Sequence, residues 1–368
     1  MTGYDEPLFQ QVVAYAADAD RDVVGMVSGD PDWGPPPSLR EGLHEAADAS
    51  ADDLQYPPSP GLPELRDLLA ARHGVSRRRV LVTAGATEAV SLGVARALSD
   101  EREGDEVVVV DPTYPYYPAQ ARLHGGRVRR VAAAPDGGLD EAAVREAVGP
   151  ETAGVVLNDP NNPTGAVYDP DATRAVLETA ADHDALLVRD EVYDAFDLSG
   201  RFESALALDA PDPVVVSAAS KTFAVTGLRV GWAVVPECHV DALQTRHLLT
   251  TISASRPAQV AVARALRETG EAYADGARSR LRERRDRFCA ALDAVGADYL
   301  PPRGGFYVLA DLPGVAGDLA SVERLIDDAG VAGMPGDAFG AGAEGRVRFS
   351  LTTARVDEAG ARLRAHLG

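Results

Sequence analysis

Lysine is almost absent from this chain. Of its 36 basic residues (lysine plus arginine), Lys221 is the sole lysine. Cysteine is scarce as well. Cys238 and Cys289 stand alone with no CxxC pair, so neither a disulfide framework nor a zinc site is indicated. The seven histidines are scattered, without HExxH or a clustered ligand set, and no metal is expected. No apolar run approaches the roughly 18 residues of a membrane span. The opening residues Met1-Thr2-Gly3-Tyr4-Asp5-Glu6-Pro7 contain neither a basic nor an apolar stretch, so a soluble, cytoplasmic protein is expected. GxxxxGK, GxSxG and internal repeats are missing too. Gly340 to Gly345 fits GxGxxG, but a strand rather than a helix is expected after it, and too little chain follows to build a βαβ unit. A dinucleotide site is therefore not expected. Base is short against acid, 36 residues against 57, for a net charge of −21 spread along the whole chain. Such a surface repels phosphates, which argues against a nucleic-acid partner. Acid with arginine in place of lysine also suggests a hydrated surface adapted to salt.

The one lysine sits in Ser217-Ala218-Ala219-Ser220-Lys221-Thr222-Phe223-Ala224-Val225-Thr226-Gly227-Leu228-Arg229. A lysine ammonium can lose its proton and attack a carbonyl, whereas a guanidinium stays charged. Most lysines are simply surface residues. Uniqueness and small, hydroxyl-bearing neighbours point instead to a Schiff-base lysine, with Arg229 placed to hold an anion nearby.

From residue 80 a pattern sets in. Short β-branched runs are each followed by polar or glycine residues: Val80–Val82 by Gly85-Ala86-Thr87, Val107–Val110 by Asp111-Pro112-Thr113-Tyr114, Val155–Leu157 by Asn158-Asp159-Pro160-Asn161-Asn162-Pro163-Thr164-Gly165, Leu186–Val188 by Asp190-Glu191-Val192-Tyr193, and Val214–Val216 by the lysine stretch. Runs this short and apolar predict parallel strands buried on both faces. Ligands of open α/β sheets bind beyond the carboxyl ends of the strands, so five separated segments converge on one crevice.

These segments together resemble the class I/II pyridoxal-phosphate aminotransferases, the fold type I superfamily. The likeness rests on the Gly-Ala-Thr loop, Pro-x-Tyr, Asn-Pro-Thr-Gly, Asp-Glu-x-Tyr, and Ser-Lys with an arginine eight residues on. It implies an α/β fold with a mostly parallel central sheet, helices on both faces, and a smaller α+β domain. It implies pyridoxal 5′-phosphate carried by Lys221 as an imine, with its phosphate held by Gly85, Ala86, Thr87, Ser220 and Arg229. Tyr114 would stack on the pyridine ring, Asn162 and Tyr193 would donate to its phenolic oxygen, and Asp190 would pair with its protonated nitrogen. Against that cation Asp190 is expected to sit below the usual carboxylate range. The family usually has Ser or Gly three residues before the lysine; Ala218 stands there, with Ser217 one position further back.

Outside the sheet, the likeness covers Gly29-Asp30-Pro31-Asp32-Trp33, where Gly29 would let backbone approach the substrate carboxylate. It covers Tyr56 ahead of Gly61-Leu62-Pro63-Glu64-Leu65-Arg66, a tyrosine that reaches a neighbour's cofactor phosphate across a homodimer with composite sites. It covers Arg348 in Arg346-Val347-Arg348-Phe349-Ser350, whose guanidinium would grip the substrate α-carboxylate. Arg278 to Arg287 reads as a solvated helix face with no binding role, and Val331 to Gly340 as a mobile loop. The expected division is an N-terminal arm (1–40), a large cofactor-binding domain (41–275) and a C-terminal small domain (276–368). The expected activity moves an amino group between an L-amino acid and a 2-oxo acid. A lyase performing β-elimination or decarboxylation is the alternative on the same scaffold. A regulatory module that binds the cofactor and DNA is at odds with the acidic chain.

Overall fold

The computed structural model describes residues 6–99, 101–102 and 104–368. Met1 to Asp5, which opened the stretch read for a leader, lie outside the described residues. In chain order the strands are β1 (Val24–Gly25), β2 (Val80–Thr83), β3 (Glu106–Asp111), β4 (Arg127–Ala132), β5 (Thr152–Asn158), β6 (Leu186–Asp190) and β7 (Val214–Ala218). They continue with β8 (Gly231–Val234), β9 (Asp298–Tyr299), β10 (Tyr307–Asp311), β11 (Val331–Ala332), β12 (Met334–Pro335) and β13 (Val347–Ser350).

A seven-stranded sheet in the order β2-β8-β7-β6-β5-β3-β4 forms the centre. β4, β3, β5, β6 and β7 pair in parallel, and β8 runs antiparallel to both its neighbours. β2 therefore points the same way as the other forward strands. Residues of β5, β6 and β7 are buried throughout. Side chains alternate across the sheet. Val155, Leu187 and Val215 join the core on one face, while Val156, Val188 and Val216 join that on the other. Each such valine contributes about 1.5–3 kcal/mol by leaving water. The valine runs thus predict the central strands correctly, because only a strand covered on both faces tolerates them.

The turning points follow local chemistry. The helix Pro63–His73 starts on a proline at its first position and ends at Gly74, whose φ of 65° is left-handed, a backbone that favours glycine. A separate antiparallel sheet, β12-β13-β10-β9, carries Arg348. It shares a second core with β1, β11 and the helices Leu319–Ala329 and Val356–Leu367.

Two expectations are overturned here. Val331 to Gly340 is not a mobile loop: β11 pairs with β1, β12 pairs with β13, and Val331 through Gly336 are buried. Backbone pairing with distant strands overrides a composition rich in glycine. The helix Glu271–Ala294 is not wholly solvated either. Arg284 turns inward, is buried, and its Nη2 donates to both carboxylate oxygens of Asp32, at 2.8 and 3.0 Å. It also lies over the Trp33 ring, 5.7 Å from the centroid. The helix therefore anchors the segment that begins at Gly29.

Candidate active site

The forward strands all end at one edge of the central sheet, and β8, running the other way, begins there. That reversal brings Arg229, just ahead of β8, to the same edge as residues that follow β2, β3, β5, β6 and β7. One cleft is lined by Ala86, Thr87, Tyr114, Asn162, Asp190, Tyr193, Ser220, Lys221 and Arg229, together with Gly29 and Arg348. Gly85 stands directly behind Arg229, since a Cβ built on it would lie 2.2 Å from Arg229 Nη2. Of the residues expected in the site, Tyr56 stays away. It is 77% exposed on its loop.

Lys221 Nζ donates to the carbonyl of Gly29 at 2.9 Å. A Cβ on Gly29 would fall 2.0 Å from the Tyr307 hydroxyl, so glycine is needed there for close approach. Gly29 thus presents its carbonyl to the lysine. Asp190 ends β6 fully enclosed. Its carboxylate accepts from the Tyr117 hydroxyl at 2.8 Å and from the Val192 N–H at 3.1 Å. Burial pushes the Asp190 carboxyl up to about 6, with Tyr117, Val192 and the Lys221 charge only partly opposing it. The expected low value is reversed in the protein alone, because no cation touches the carboxylate directly and desolvation wins.

Arg348 is only 4% exposed. It donates to Asn162 Oδ1 at 2.9 Å and to the Val27 carbonyl. Its Cζ lies 4.1 Å from the centroid of Tyr307 and 4.8 Å from that of Phe339. Its Nε has no partner, and among the described residues no carboxylate lies within ion-pair distance of it. A buried guanidinium without an anion is costly, and the cleft is where an anion can reach it. Because Asn162 accepts from Arg348 through its oxygen, its amide nitrogen is left to donate elsewhere. The hydroxyls of Tyr193 and Tyr307 lie 3.2 Å apart, and burial raises the Tyr193 phenol well above its ordinary range.

At the start of the helix Ala86–Ala97, Gly85 has φ 91°. The first N–H groups of a helix have no acceptor within it and favour an anion. Arg229 faces this turn, held by the carbonyls of Thr226 at 2.9 Å and Ala84 at 3.2 Å. Ser220 and Ala218 line the cleft. Ser217 does not, and its hydroxyl is buried without a partner. Sequence reading did not single out Tyr117 or Tyr307. Their signal was faint: Tyr117 follows Tyr114 in an aromatic cluster, and Tyr307 follows a Gly-Gly-Phe turn.

The arrangement suits pyridoxal phosphate. A primary amine, an enclosed carboxylate with no ion-pair partner among the described residues, a tyrosine ring and the start of a helix share one cleft. Residues 21–363 match the family described as aminotransferase class I and II. The aspartate/prephenate aminotransferase of Thermus thermophilus is 36% identical over 343 residues, covering 90% of this chain and 87% of that protein. A probable N-succinyldiaminopimelate aminotransferase of Mycobacterium tuberculosis is 35% identical over 334 residues, covering 86% and 82%. Among solved structures, the Thermus thermophilus aspartate aminotransferase with maleate superposes with a TM-score of 0.90 at 33% identity, covering 100% of both chains. The N-succinyldiaminopimelate aminotransferase from Mycobacterium tuberculosis gives 0.89 at 31% identity, covering 98% of this chain and 97% of its own. These relatives carry the names of aminotransferases, not lyases. Likeness that runs through residues 21–363 and preserves the whole fold is more than a shared motif: the chain belongs to the class I and II aminotransferases, fold type I enzymes that use pyridoxal 5′-phosphate to move an amino group between an amino acid and a 2-oxo acid.

Proposed function

We propose that this chain's transamination is organised by two cations, Lys221 at the reacting carbon and Arg348 at the substrate α-carboxylate. The observation that carries this reading is the buried Arg348 guanidinium with an unpartnered Nε and no carboxylate of the described residues in reach. When bound, pyridoxal phosphate supplies the electron sink for the substrate's Cα. Lys221 would be its covalent anchor, and the same amine, when free, would be the base that takes the substrate's Cα proton. Asp190 would keep the proton on the ring nitrogen, oriented by its hydrogen bond from Tyr117. Tyr114 would support the ring face, while the Asn162 amide and the Tyr193 hydroxyl would donate to its phenolic oxygen. Ala86, Thr87, Ser220 and Arg229 would hold the phosphate, with Gly85 leaving room for Arg229. Gly29 accepts from the lysine and borders the place where the substrate carboxylate lies.

Arg348→Lys tests the substrate assignment. A lysine keeps the charge but loses the two-pronged fit. The expected result is a fall in kcat/KM of about 100-fold, with the absorbance of the bound cofactor unchanged. An unchanged kcat/KM sinks the assignment.

We propose further that the enzyme is a homodimer in which Tyr56 of the partner subunit completes the phosphate site. Support comes from the exposure of Tyr56 beside exposed Leu54, and from exposed Leu248, Leu249 and Ile252 on one further segment. Mixing inactive Tyr56→Ala and Lys221→Ala proteins should restore activity, because a hybrid has one site free of both lesions. No recovery after confirmed subunit exchange argues against shared sites. Relatives are named for aspartate, prephenate and N-succinyldiaminopimelate. In this protomer Lys221, Arg229 and Arg348 are the cationic residues lining the cleft, and each has a role. A second substrate carboxylate therefore has to be met by the partner subunit or by hydroxyl groups.

The division into an arm (1–40), a large domain (41–275) and a small domain (276–368) is part of this reading. It draws support from the seven-stranded sheet lying wholly within the second span and β9, β10, β12 and β13 within the third. A cytoplasmic, salt-adapted enzyme is likewise our reading, supported by the net charge of −21. No helix of the described residues is long and apolar enough to cross a membrane. Molar salt shortens the Debye length from about 30 Å at 0.01 M to about 3 Å, so self-repulsion of the acidic surface weakens. The melting temperature of the cofactor-bound enzyme should rise between 0.05 and 3 M KCl; a flat or falling curve refutes salt adaptation.

A further inference from the structure

Behind the Gly85-Ala86-Thr87 turn lies a buried polar group to which the catalytic reading assigns no role. Glu88 is the third residue of the helix Ala86–Ala97 and reaches back to accept the Ala84 N–H at 2.6 Å. The same carboxylate accepts from the Thr251 hydroxyl. His247, with 0% exposure, places Nδ1 2.7 Å from Glu88 Oε1 and Nε2 2.9 Å from the Ser59 carbonyl oxygen. A carbonyl and an ionised carboxylate can only accept. Both ring nitrogens must then donate, which an imidazole does only when it carries both protons. The ring also sits in the last turn of the helix Val240–Thr250, where a positive charge is favoured. Burial alone would push the Glu88 carboxyl up, but the bonds from His247, Thr251 and Ala84 outweigh it and hold it below its ordinary value.

The geometry has a consequence for an anion bound at the helix start. An ionised carboxylate in the first turn of that helix opposes a phosphate at its N-terminus. The imidazolium cancels that opposition while leaving Glu88 free to hold Ala84. Its other nitrogen ties down Ser59, on the same loop as Tyr56. We propose that His247 and Glu88 act as a charge-neutral brace that positions both the Gly85-Ala86-Thr87 turn and the Tyr56 loop for the cofactor phosphate. They are positioning residues and do not touch the cofactor. The inference rests on the assignment of the phosphate to this turn. Arg229 and Arg246 line the small cleft behind the turn beside Thr87 and Glu88, so the test has to separate the brace from these other cations.

Apoprotein of the wild type, His247→Gln, Glu88→Gln and the double variant would be titrated with pyridoxal phosphate and, separately, with pyridoxal. Thermal melting would be recorded for each. His247→Gln should weaken binding of the phosphate form on the order of tenfold to a hundredfold, through an uncompensated carboxylate, and leave pyridoxal affinity nearly unchanged. The double variant, neutral again, should recover most of the loss. Equal losses for both ligands, or a double variant no better than His247→Gln, overturn the brace. If His247→Gln does not fold, Glu88→Gln decides. It keeps an acceptor for Ala84 and removes an anion, so it should bind the phosphate form at least as tightly as the wild type; selective weakening refutes the proposal. A wild type that binds the two ligands equally overturns the phosphate assignment itself, and the brace with it.

Discussion

Lys221→Arg is expected to leave no measurable transamination, a loss beyond the roughly 10⁴-fold that general acid–base catalysis alone provides. The replacement keeps a positive charge in the cleft and can still donate to the Gly29 carbonyl, so the pocket should remain folded. It removes the two properties that matter, a nitrogen able to attack a carbonyl and a base able to take a proton. Borohydride reduction of the loaded wild type should fix the cofactor on the peptide containing Lys221. Because the chain has no other lysine, label on any other side chain would end the assignment. Melting curves within a few degrees of the wild type would confirm that the loss is chemical.

Asp190→Asn should lower kcat by about two to four orders of magnitude, since an amide cannot keep the ring nitrogen protonated. Its effect on stability should have the opposite sign. Burial raises the Asp190 carboxyl from 3.8 to about 6 in the folded protein without cofactor. A raised acid stabilises the fold when protonated; that contribution is complete below about pH 4 and is lost as pH rises through about 6. A shift of about two units corresponds to a ceiling of about 3 kcal/mol at neutral pH. The cofactor-free Asn variant should therefore melt above the cofactor-free wild type at pH 8, with the gap closing towards pH 4. Adding pyridoxal phosphate should reverse the order, because only the carboxylate gains a cation. A variant with near-normal turnover contradicts the role in the site, and one that melts below the wild type at pH 8 without cofactor contradicts the energetics.

Much of the site was legible because it is built from strand ends. A valine run followed by a polar cluster reports both a buried strand and the position of its carboxyl end, so Gly85 to Thr87, Tyr114, Asn162, Asp190 and Lys221 could be located together. Arg346 and Arg348 lie two residues apart, and the structure separates them: Arg348 enters the cleft, while Arg346 faces Asp298 at 3.9 Å. What stayed hidden depends on partners far along the chain. Tyr117 meets Asp190 across 73 residues, and His247 meets Glu88 across 159. Arg284 finds Asp32 across 252, and among many arginines on one helix nothing local marks the one that turns inward. Periodicity reports which face a residue occupies, not which distant residue waits on that face.

The short stretch from Val24 to Asp32 is more than an arm. Met26 takes the Ser350 N–H and Asp32 gives its own to Thr352, so the stretch is bound to the small sheet. Its carbonyls at Val27 and Gly29 meet the Arg348 and Lys221 cations. Peptide oxygens here do the work of a hydration shell. Each cation meets one peptide oxygen before a ligand arrives, with the Arg348 Nε still unpartnered, so an arriving ligand trades in part against fixed dipoles. Such an exchange needs little rearrangement, since the dipoles are already oriented by the sheet behind them. The same few residues thus set how strongly the empty cleft competes with its ligands for both charges.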